Sequence, residues 1–103
     1  MAVKIIIERR VSRENERSLL QLLRKLRVHC LEEAGYISGE TLRDSEDPRT
    51  IVVISTWFGL MDWRRWSQSE VRGELEKEIR KVLLEPERVR VLLEGLSDVH
   101  SGS

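Results

Sequence analysis

Two runs of β-branched residues constrain the fold of this sequence more than any other feature. Residues 3–11 read VKIIIERRV and residues 50–58 read TIVVISTWF, and both compositions are typical of β-strands. Weaker strand patterns lie at residues 36–44 and 87–94, and Gly39 within the first of them indicates a bulge or the close approach of another group. We therefore expect four strands, with a short polar loop joining the second to the third.

Apolar residues at helical spacing predict a helix in each of the two longer connections. The first helix is expected over residues 13–33, with Gly35 closing its C-terminal end. The second helical region lies between residues 60 and 82. A capping box formed by Ser67 and Glu70 predicts a break inside it.

The resulting order, β-α-β-β-α-β, is that of the ferredoxin-like fold in the α+β class. Such a subunit has a four-stranded antiparallel sheet with both helices on one face. We expect one such domain over residues 1–96, followed by a disordered polar tail at residues 97–103.

The strands do not alternate between apolar and polar residues, as a sheet with one wet face should. Once one set is assigned to the helices, a second apolar set remains on the other face: Ile6, Val52, Ile54, Phe58 and Leu92. Burying each of these side chains is worth about 1.5–3 kcal/mol, a total comparable to the stability of a small domain. We therefore predict a homodimer in which two sheets pack face to face.

Charge and cysteine content exclude several classes of protein. The chain has 18 Lys plus Arg against 18 Asp plus Glu and no basic stripe, which argues against nucleic acid as a partner. One cysteine and two histidines without ligand-like spacing predict neither an internal disulfide nor a metal site. No apolar run has a membrane-spanning length and no signal peptide is recognisable, so a cytoplasmic protein without a membrane partner is expected.

Four of the five aromatic residues fall within ten positions, namely Trp57, Phe58, Trp63 and Trp66. Two interpretations are open for the tryptophans. They either fill the core or the dimer interface as large apolar side chains, or they line a binding site.

The charged residues have ordinary interpretations. The pairs Arg9-Arg10 and Arg64-Arg65 are expected to be solvated or paired with acids, the alternative being contact with an anionic substrate. The charges from Glu70 to Lys81, including an expected pair of Glu76 with Arg80, are typical of a wet helix face. Cys30 is expected to be a small buried apolar residue.

Three segments together resemble the antibiotic biosynthesis monooxygenase domain family. They are GYISGETL at residues 35–42, VISTW at residues 53–57, and Asp62-Trp63-x-x-Trp66-x-x-Ser69. The resemblance covers about residues 2–95 and implies a dimeric α+β barrel. It also implies that a small aromatic or quinol-type compound is oxidised by O2 without a bound cofactor.

The resemblance implies site roles for three residues: Tyr36 and Trp66 become candidate catalytic residues, and Trp57 a candidate substrate-binding residue. Trp63, from the same aromatic cluster, is added as a second candidate substrate-binding residue. His29 is added as a candidate catalytic base, since it is the only histidine within the predicted domain and histidine titrates near neutral pH. The alternative for His29 is a partly buried, hydrogen-bonded side chain.

A second branch of the resembled family degrades haem. Trp66 matches a tryptophan of that branch, but Glu76 stands where its axial histidine would be and Ile7 where its first-strand asparagine would be. A haem-handling role is therefore disfavoured. The main alternative to an oxygenase is a non-catalytic dimer of the same fold that binds a small ligand or responds to stress.

Overall fold

A computed structural model describes residues 1–95 of this 103-residue chain. In chain order its elements are β1 (Val3–Arg10), a 3₁₀ turn (Arg13–Asn15), α1 (Glu16–Cys30), β2 (Tyr36–Arg43), β3 (Thr50–Trp57), α2 (Leu60–Ser67), α3 (Glu70–Val82) and β4 (Arg88–Leu93). The predicted order of strands and helical regions is confirmed. The tail predicted at residues 97–103 lies outside the described residues.

The four strands form one antiparallel sheet with the order β2-β3-β1-β4. β1 lies inside the sheet because β3 pairs with one of its edges and β4 with the other. Val3 is accordingly opposite Trp57 on one side and Leu93 on the other. This is the predicted ferredoxin-like α+β architecture.

One face of β1 supplies the floor of the core beneath the helices. Val3, Ile5, Ile7 and Arg9 are buried, whereas the residues between them are only partly buried. The other buried members of the apolar core come from the strand end, the helices and β3: Val11, Leu19, Leu23, Leu26, Ile51, Trp57, Trp63, Trp66 and Ile79. Arg9 follows the same alternation as the apolar residues before it, so this strand carries a guanidinium group into the interior.

The opposite face of the sheet bears the second apolar set that the sequence predicted. Ile6 and Ile54 are direct partners across β1 and β3, and both are partly exposed. Leu92 lies on β4 opposite Lys4 and is 38% exposed, while Phe58 just beyond β3 is 70% exposed. The helices of the described chain pack on the other face and leave this surface open.

The ends of α1 differ from the predicted boundaries. The helix covers Glu16–Cys30 rather than residues 13–33 because its first turn is 3₁₀ and the chain leaves it through turns. Gly35 ends these turns with a φ of +88°, which favours glycine, and a Cβ there would collide with Asp62. None of the helices in residues 1–95 is long and apolar enough to cross a membrane.

The helical region after β3 is broken where predicted, but the cap that starts α3 is a different serine. The Oγ atom of Ser69 accepts a hydrogen bond from the backbone N–H of Arg72 at 3.2 Å. Ser67 still belongs to α2, and its hydroxyl donates to the carbonyl of Arg64 at 2.9 Å. The prediction that Ser67 forms a capping box was wrong, because an N-cap needs an extended backbone and only Ser69 has one.

Candidate functional site

A cavity of about 290 Å³ lies between the sheet and the helices. Its wall is mainly apolar, with leucines from α1, Ile7 from β1 and Val53 from β3. Tyr36, Ser55 and Thr41 add polar groups from the strands. A cavity of this kind, apolar with a few polar groups, is typical of a small-molecule site.

The three tryptophans all line this cavity and are all buried. The rings of Trp57 and Trp63 meet edge to face, with centroids 5.9 Å apart and planes at 65°. The indole N–H of Trp57 donates to the Oγ of Ser55 at 3.1 Å. The two interpretations left open for the tryptophans therefore combine, since the same side chains belong to the core and form the cavity wall.

Tyr36 reaches the cavity because the start of β2 is irregular. The pairing of β2 with β3 shifts register between Tyr36 and Ser38, and the Tyr36 ring lies against Gly39. A Cβ on Gly39 would collide with the Tyr36 Oη, so the glycine makes room for the hydroxyl. The close approach that Gly39 indicated in the sequence is present. The ring also packs edge to face on Trp57, with centroids 5.2 Å apart.

The Tyr36 hydroxyl lies in a setting that favours its protonated form. Desolvation by burial raises the pKa of this hydroxyl above its ordinary value of 10.0. Tyr36 is therefore a neutral hydrogen-bond donor at neutral pH. It is suited to donate to a substrate oxygen rather than to remove a proton.

His29 is the one candidate residue that the structure does not bring to the cavity. Its side chain is 45% exposed on α1, with Nδ1 4.0 Å from the Oε1 of Glu32. It lies instead beside a shallow surface depression between α1 and α3, together with Lys25 and Val71. The reason is its position on the helix, since the residues of α1 that line the cavity are Leu20, Leu23, Arg24, Leu26, Arg27 and Cys30.

A buried ionic cluster on the cavity wall was not predicted from the sequence. The Oε2 of Glu76 accepts a hydrogen bond from Nη2 of Arg9 at 2.7 Å and forms an ion pair with Nη2 of Arg72 at 3.2 Å. The side chains of Arg9, Glu76 and Arg72 are 1%, 2% and 13% exposed. Desolvation by burial lowers the pKa of Arg9, and Glu76 opposes that shift.

The ionic cluster corrects one interpretation of the sequence. Glu76 does not lie on a wet helix face, and Arg80 pairs with Glu87 at 2.8 Å instead. Arg9 is paired with an acid, which was one of the two expectations for it, but the pair is buried. The burial of both residues could have been predicted from their spacing. Arg9 continues the alternating row of inward residues on β1, and Glu76 lies three residues before the buried Ile79 on α3, on the same helix face.

The cavity is a poor fit for haem. Glu76, at the position where the resemblance expects an axial histidine, is engaged by two arginines, and no histidine of the described chain lines the cavity. Cys30 does line it, but desolvation by burial raises the pKa of that thiol to about 12, so the thiolate needed for ligation is disfavoured. No group of three or more potential metal ligands occurs in residues 1–95.

Fold and cavity together define a small α+β protein with an aromatic-walled site that is partly open to solvent, and sequence comparison identifies the family. The family model for antibiotic biosynthesis monooxygenase matches residues 2–78, so the chain belongs to that family. A comparison with curated proteins finds no match.

Solved structures agree with the fold. A conserved protein from Methanosarcina mazei has a TM-score of 0.86 at 16% identity, over 92% of this chain and 94% of that chain. Rv0793 from Mycobacterium tuberculosis has a TM-score of 0.82 at 16% identity, over 91% and 95%. SnoaB, described as a cofactor-independent oxygenase from Streptomyces nogalater, has a TM-score of 0.81 at 12% identity, over 91% and 93%.

Proposed function

We propose that this protein is a cofactor-independent monooxygenase that oxidises a small aromatic or quinol-type compound with O2 inside the cavity. The observation that carries the proposal is the cavity itself, which stays open at about 290 Å³ although three tryptophans line it. Tryptophans that only filled the core would leave no such space. Membership of the family and the likeness to SnoaB support the same reaction class.

The proposed chemistry needs no electron source other than the substrate. A CH2 group conjugated with the phenol ring loses a proton, and the resulting carbanion transfers one electron to O2. The substrate radical and superoxide combine to a peroxide anion, which takes up the released proton to give a hydroperoxide. Loss of water from the hydroperoxide leaves a carbonyl group. One oxygen atom ends in the product and the other in water, so a CH2 group plus O2 gives a C=O group plus H2O.

The contribution of the protein in this proposal is positioning and electrostatics. The indole rings of Trp57, Trp63 and Trp66 hold a flat substrate and exclude water. The Tyr36 hydroxyl donates to an oxygen of the substrate, stabilising the anion. His29 has no part in this arrangement because its side chain lies outside the cavity.

We propose further that the active form is a homodimer joined through the open sheet face. The partly exposed Ile6, Val52 and Ile54 lie together at the centre of this face, and Leu42 and Leu92 extend it at 44% and 38% exposure. A second copy offers the same apolar surface and so covers it in a self-complementary way. The cytoplasmic location remains a prediction from the sequence.

Oxygen uptake by the purified protein, measured against a panel of anthrones and quinols, tests the proposed activity. We expect turnover with at least one compound. Tyr36→Phe should lower kcat/KM by about 10- to 100-fold, because it removes a hydrogen bond to a charged group. Trp66→Phe, which keeps an aromatic ring and removes the indole N–H, should lower it as well.

Arg64→Gln is the matched control, since Arg64 is exposed on α2 and does not line the cavity. Its kcat/KM should equal that of the unaltered protein. Binding of panel members without any oxygen uptake would reject the oxygenase and favour the non-catalytic ligand-binding dimer.

A further inference from the structure

The cavity carries a positive charge that the whole chain does not have. Six charged residues line it, Arg9, Arg24, Arg27 and Arg72 against Glu40 and Glu76, of which Arg24, Arg27 and Glu40 are exposed to solvent. Four arginines against two glutamates leave an excess of two positive charges, although the chain has a formal net charge of zero. An apolar cavity with charge of one sign concentrates the field on a bound ion of the other sign.

The imbalance is sharpest in the buried ionic cluster. One oxygen of Glu76 serves both Arg9 and Arg72, and a single carboxylate neutralises only one of two guanidinium groups. Glu87 also acts on Arg9, but its carboxylate is hydrogen-bonded to Arg80. The Nε of Arg9 and the Oε1 of Glu76 are both buried and make no hydrogen bond among the described residues. An excess buried charge is costly unless a partner compensates it. A negatively charged ligand in the cavity would supply the compensation.

Arg72 is the member of the cluster placed to meet such a ligand. It is 13% exposed, whereas Arg9 is 1% exposed. Its guanidinium carbon lies 5.2 Å from the centre of the Trp63 ring, which also lines the cavity. Its Nη2 lies 3.2 Å from the Oε2 of Glu76, and a planar guanidinium with five N–H donors is suited to bind an oxyanion as well.

We propose that the ligand of this cavity is an aromatic oxyanion, either a phenolate or a carboxylate, and that Arg72 binds its charged oxygen. Glu76 and Arg9 act as positioning residues that fix the Arg72 side chain against Trp63. The inference uses the site of the proposed oxygenase and narrows its substrate class. Binding and oxidation are nevertheless separate properties and can be measured separately.

Isothermal titration calorimetry with matched charged and neutral probes tests the inference. The carboxylate arm compares 2-naphthoate with 2-naphthamide, and the phenolate arm compares ionised 4-nitrophenolate with 4-nitroanisole. We expect the anion to bind at least about 10-fold more tightly than its neutral counterpart in one arm or both, as is typical of hydrogen bonds between charged groups. The arm with the larger preference identifies the type of oxyanion.

Three variants assign the preference to Arg72. Arg72→Gln should weaken binding of the preferred anion by about 10- to 100-fold and leave the neutral probe within a factor of two. Arg72→Lys keeps the charge and should retain part of the preference, which a general loss of packing would not allow. Arg64→Gln, on the exposed side of α2, should leave both affinities unchanged. Thermal melts of each variant establish that it is folded.

Equal affinity for charged and neutral probes in the unaltered protein would overturn the inference. So would an Arg72→Gln variant that weakens both probes to the same extent. Anion-selective binding without oxygen uptake would support the inference and reject the oxygenase. Oxygen uptake with neutral substrates only, without anion selectivity, would support the oxygenase and overturn the inference about an anionic ligand.

Discussion

At the scale of single residues, the site depends on Gly39, which contributes neither a charge nor a side-chain hydrogen bond. Gly39 lies beside the Tyr36 hydroxyl, and any Cβ at this position would collide with the Oη atom and stand 3.5 Å from Cζ. Tyr36 keeps its place at the cavity only because position 39 has no side chain. The glycine therefore acts on the site through the tyrosine.

Gly39→Ala should destabilise the protein by about 1–3 kcal/mol through overpacking against Tyr36. The penalty should shrink in the Tyr36→Phe background, since that variant lacks the colliding oxygen. Urea denaturation of the two single variants and the double variant measures the coupling, which we expect to be at least about 0.5 kcal/mol. If the changes in the free energy of unfolding were additive, Gly39 would not be making room for the Tyr36 hydroxyl.

Gly73→Ala provides a contrast on α3. A Cβ at Gly73 would meet nothing within 4 Å, and the residue lies inside the helix. Alanine should therefore stabilise the protein by about 0.5–1 kcal/mol, the usual cost of glycine within a helix. The free energy of unfolding from urea denaturation checks this value. A decrease would show that Gly73 has a contact that the structure does not reveal.

The buried ionic cluster is also a residue-scale feature, and it makes its own prediction for stability. Glu76→Ala leaves the buried Arg9 without its partner and should cost about 3–5 kcal/mol. Replacing both residues by apolar ones, Arg9→Met with Glu76→Leu, should recover most of that loss. Glu74→Ala, which removes an exposed partner of Lys77, should cost less than about 1 kcal/mol. Guanidinium denaturation compares all four proteins, and a mild effect of Glu76→Ala would contradict the burial.

At the scale of elements, an ion-pair group ties the start of α1 to the hairpin formed by β2 and β3. Glu16 receives two hydrogen bonds from Arg43, at 2.7 and 2.8 Å, and one from Arg49 at 3.0 Å. The hydrogen bond from Arg43 is the main reason that the pKa of Glu16 falls from 4.5 to about 2. The contact joins residues that are far apart in sequence, so it favours the packed arrangement of helix and hairpin.

The Glu16 contribution to stability should depend on pH in a defined direction. Its pKa is lower in the folded state than in the unfolded state, so the carboxylate stabilises the fold above about pH 4.5 and loses this effect as the pH falls toward 2. Glu16→Gln should therefore be less stable than the unaltered protein at neutral pH. The difference in urea midpoint should narrow below about pH 4.5. Glu14→Gln, exposed in the preceding turn, is the control and should show no such trend.

Elements were more predictable from the sequence than the contents of the site. The β-branched runs of β1 and β3 and the apolar spacing of α1 are local patterns, so the order of strands and helical regions was predicted correctly, although α1 is shorter than predicted. The burial of Arg9 and Glu76 depends on a contact between residues 67 positions apart, which local patterns do not contain. His29 shows the opposite error. Its side chain is chemically suitable for catalysis, but it lies on a face of α1 that does not reach the cavity.

At the scale of the whole molecule, one face of the sheet is apolar and is not covered by any helix of the described chain. Its helix-facing side contains the core, while the other side exposes Ile54 and its partner Ile6 at the centre. Leu42 on β2 and Leu92 on β4 extend this open face, at 44% and 38% exposure. A contiguous apolar surface of this kind marks an interaction site rather than a free surface.

Ile54→Lys should separate the proposed dimer into monomers without unfolding them. The substitution places a charge at the centre of the open face, where two copies would bury it without a partner, but it leaves the core beneath the helices intact. Sedimentation velocity at micromolar concentration should give twice the chain mass of 12.1 kDa for the unaltered protein and a single chain mass for Ile54→Lys. Val28→Lys, at an exposed position on α1, should remain dimeric. A monomeric unaltered protein would contradict the dimer, and dissociation by Val28→Lys would place the interface on the helices instead of the sheet.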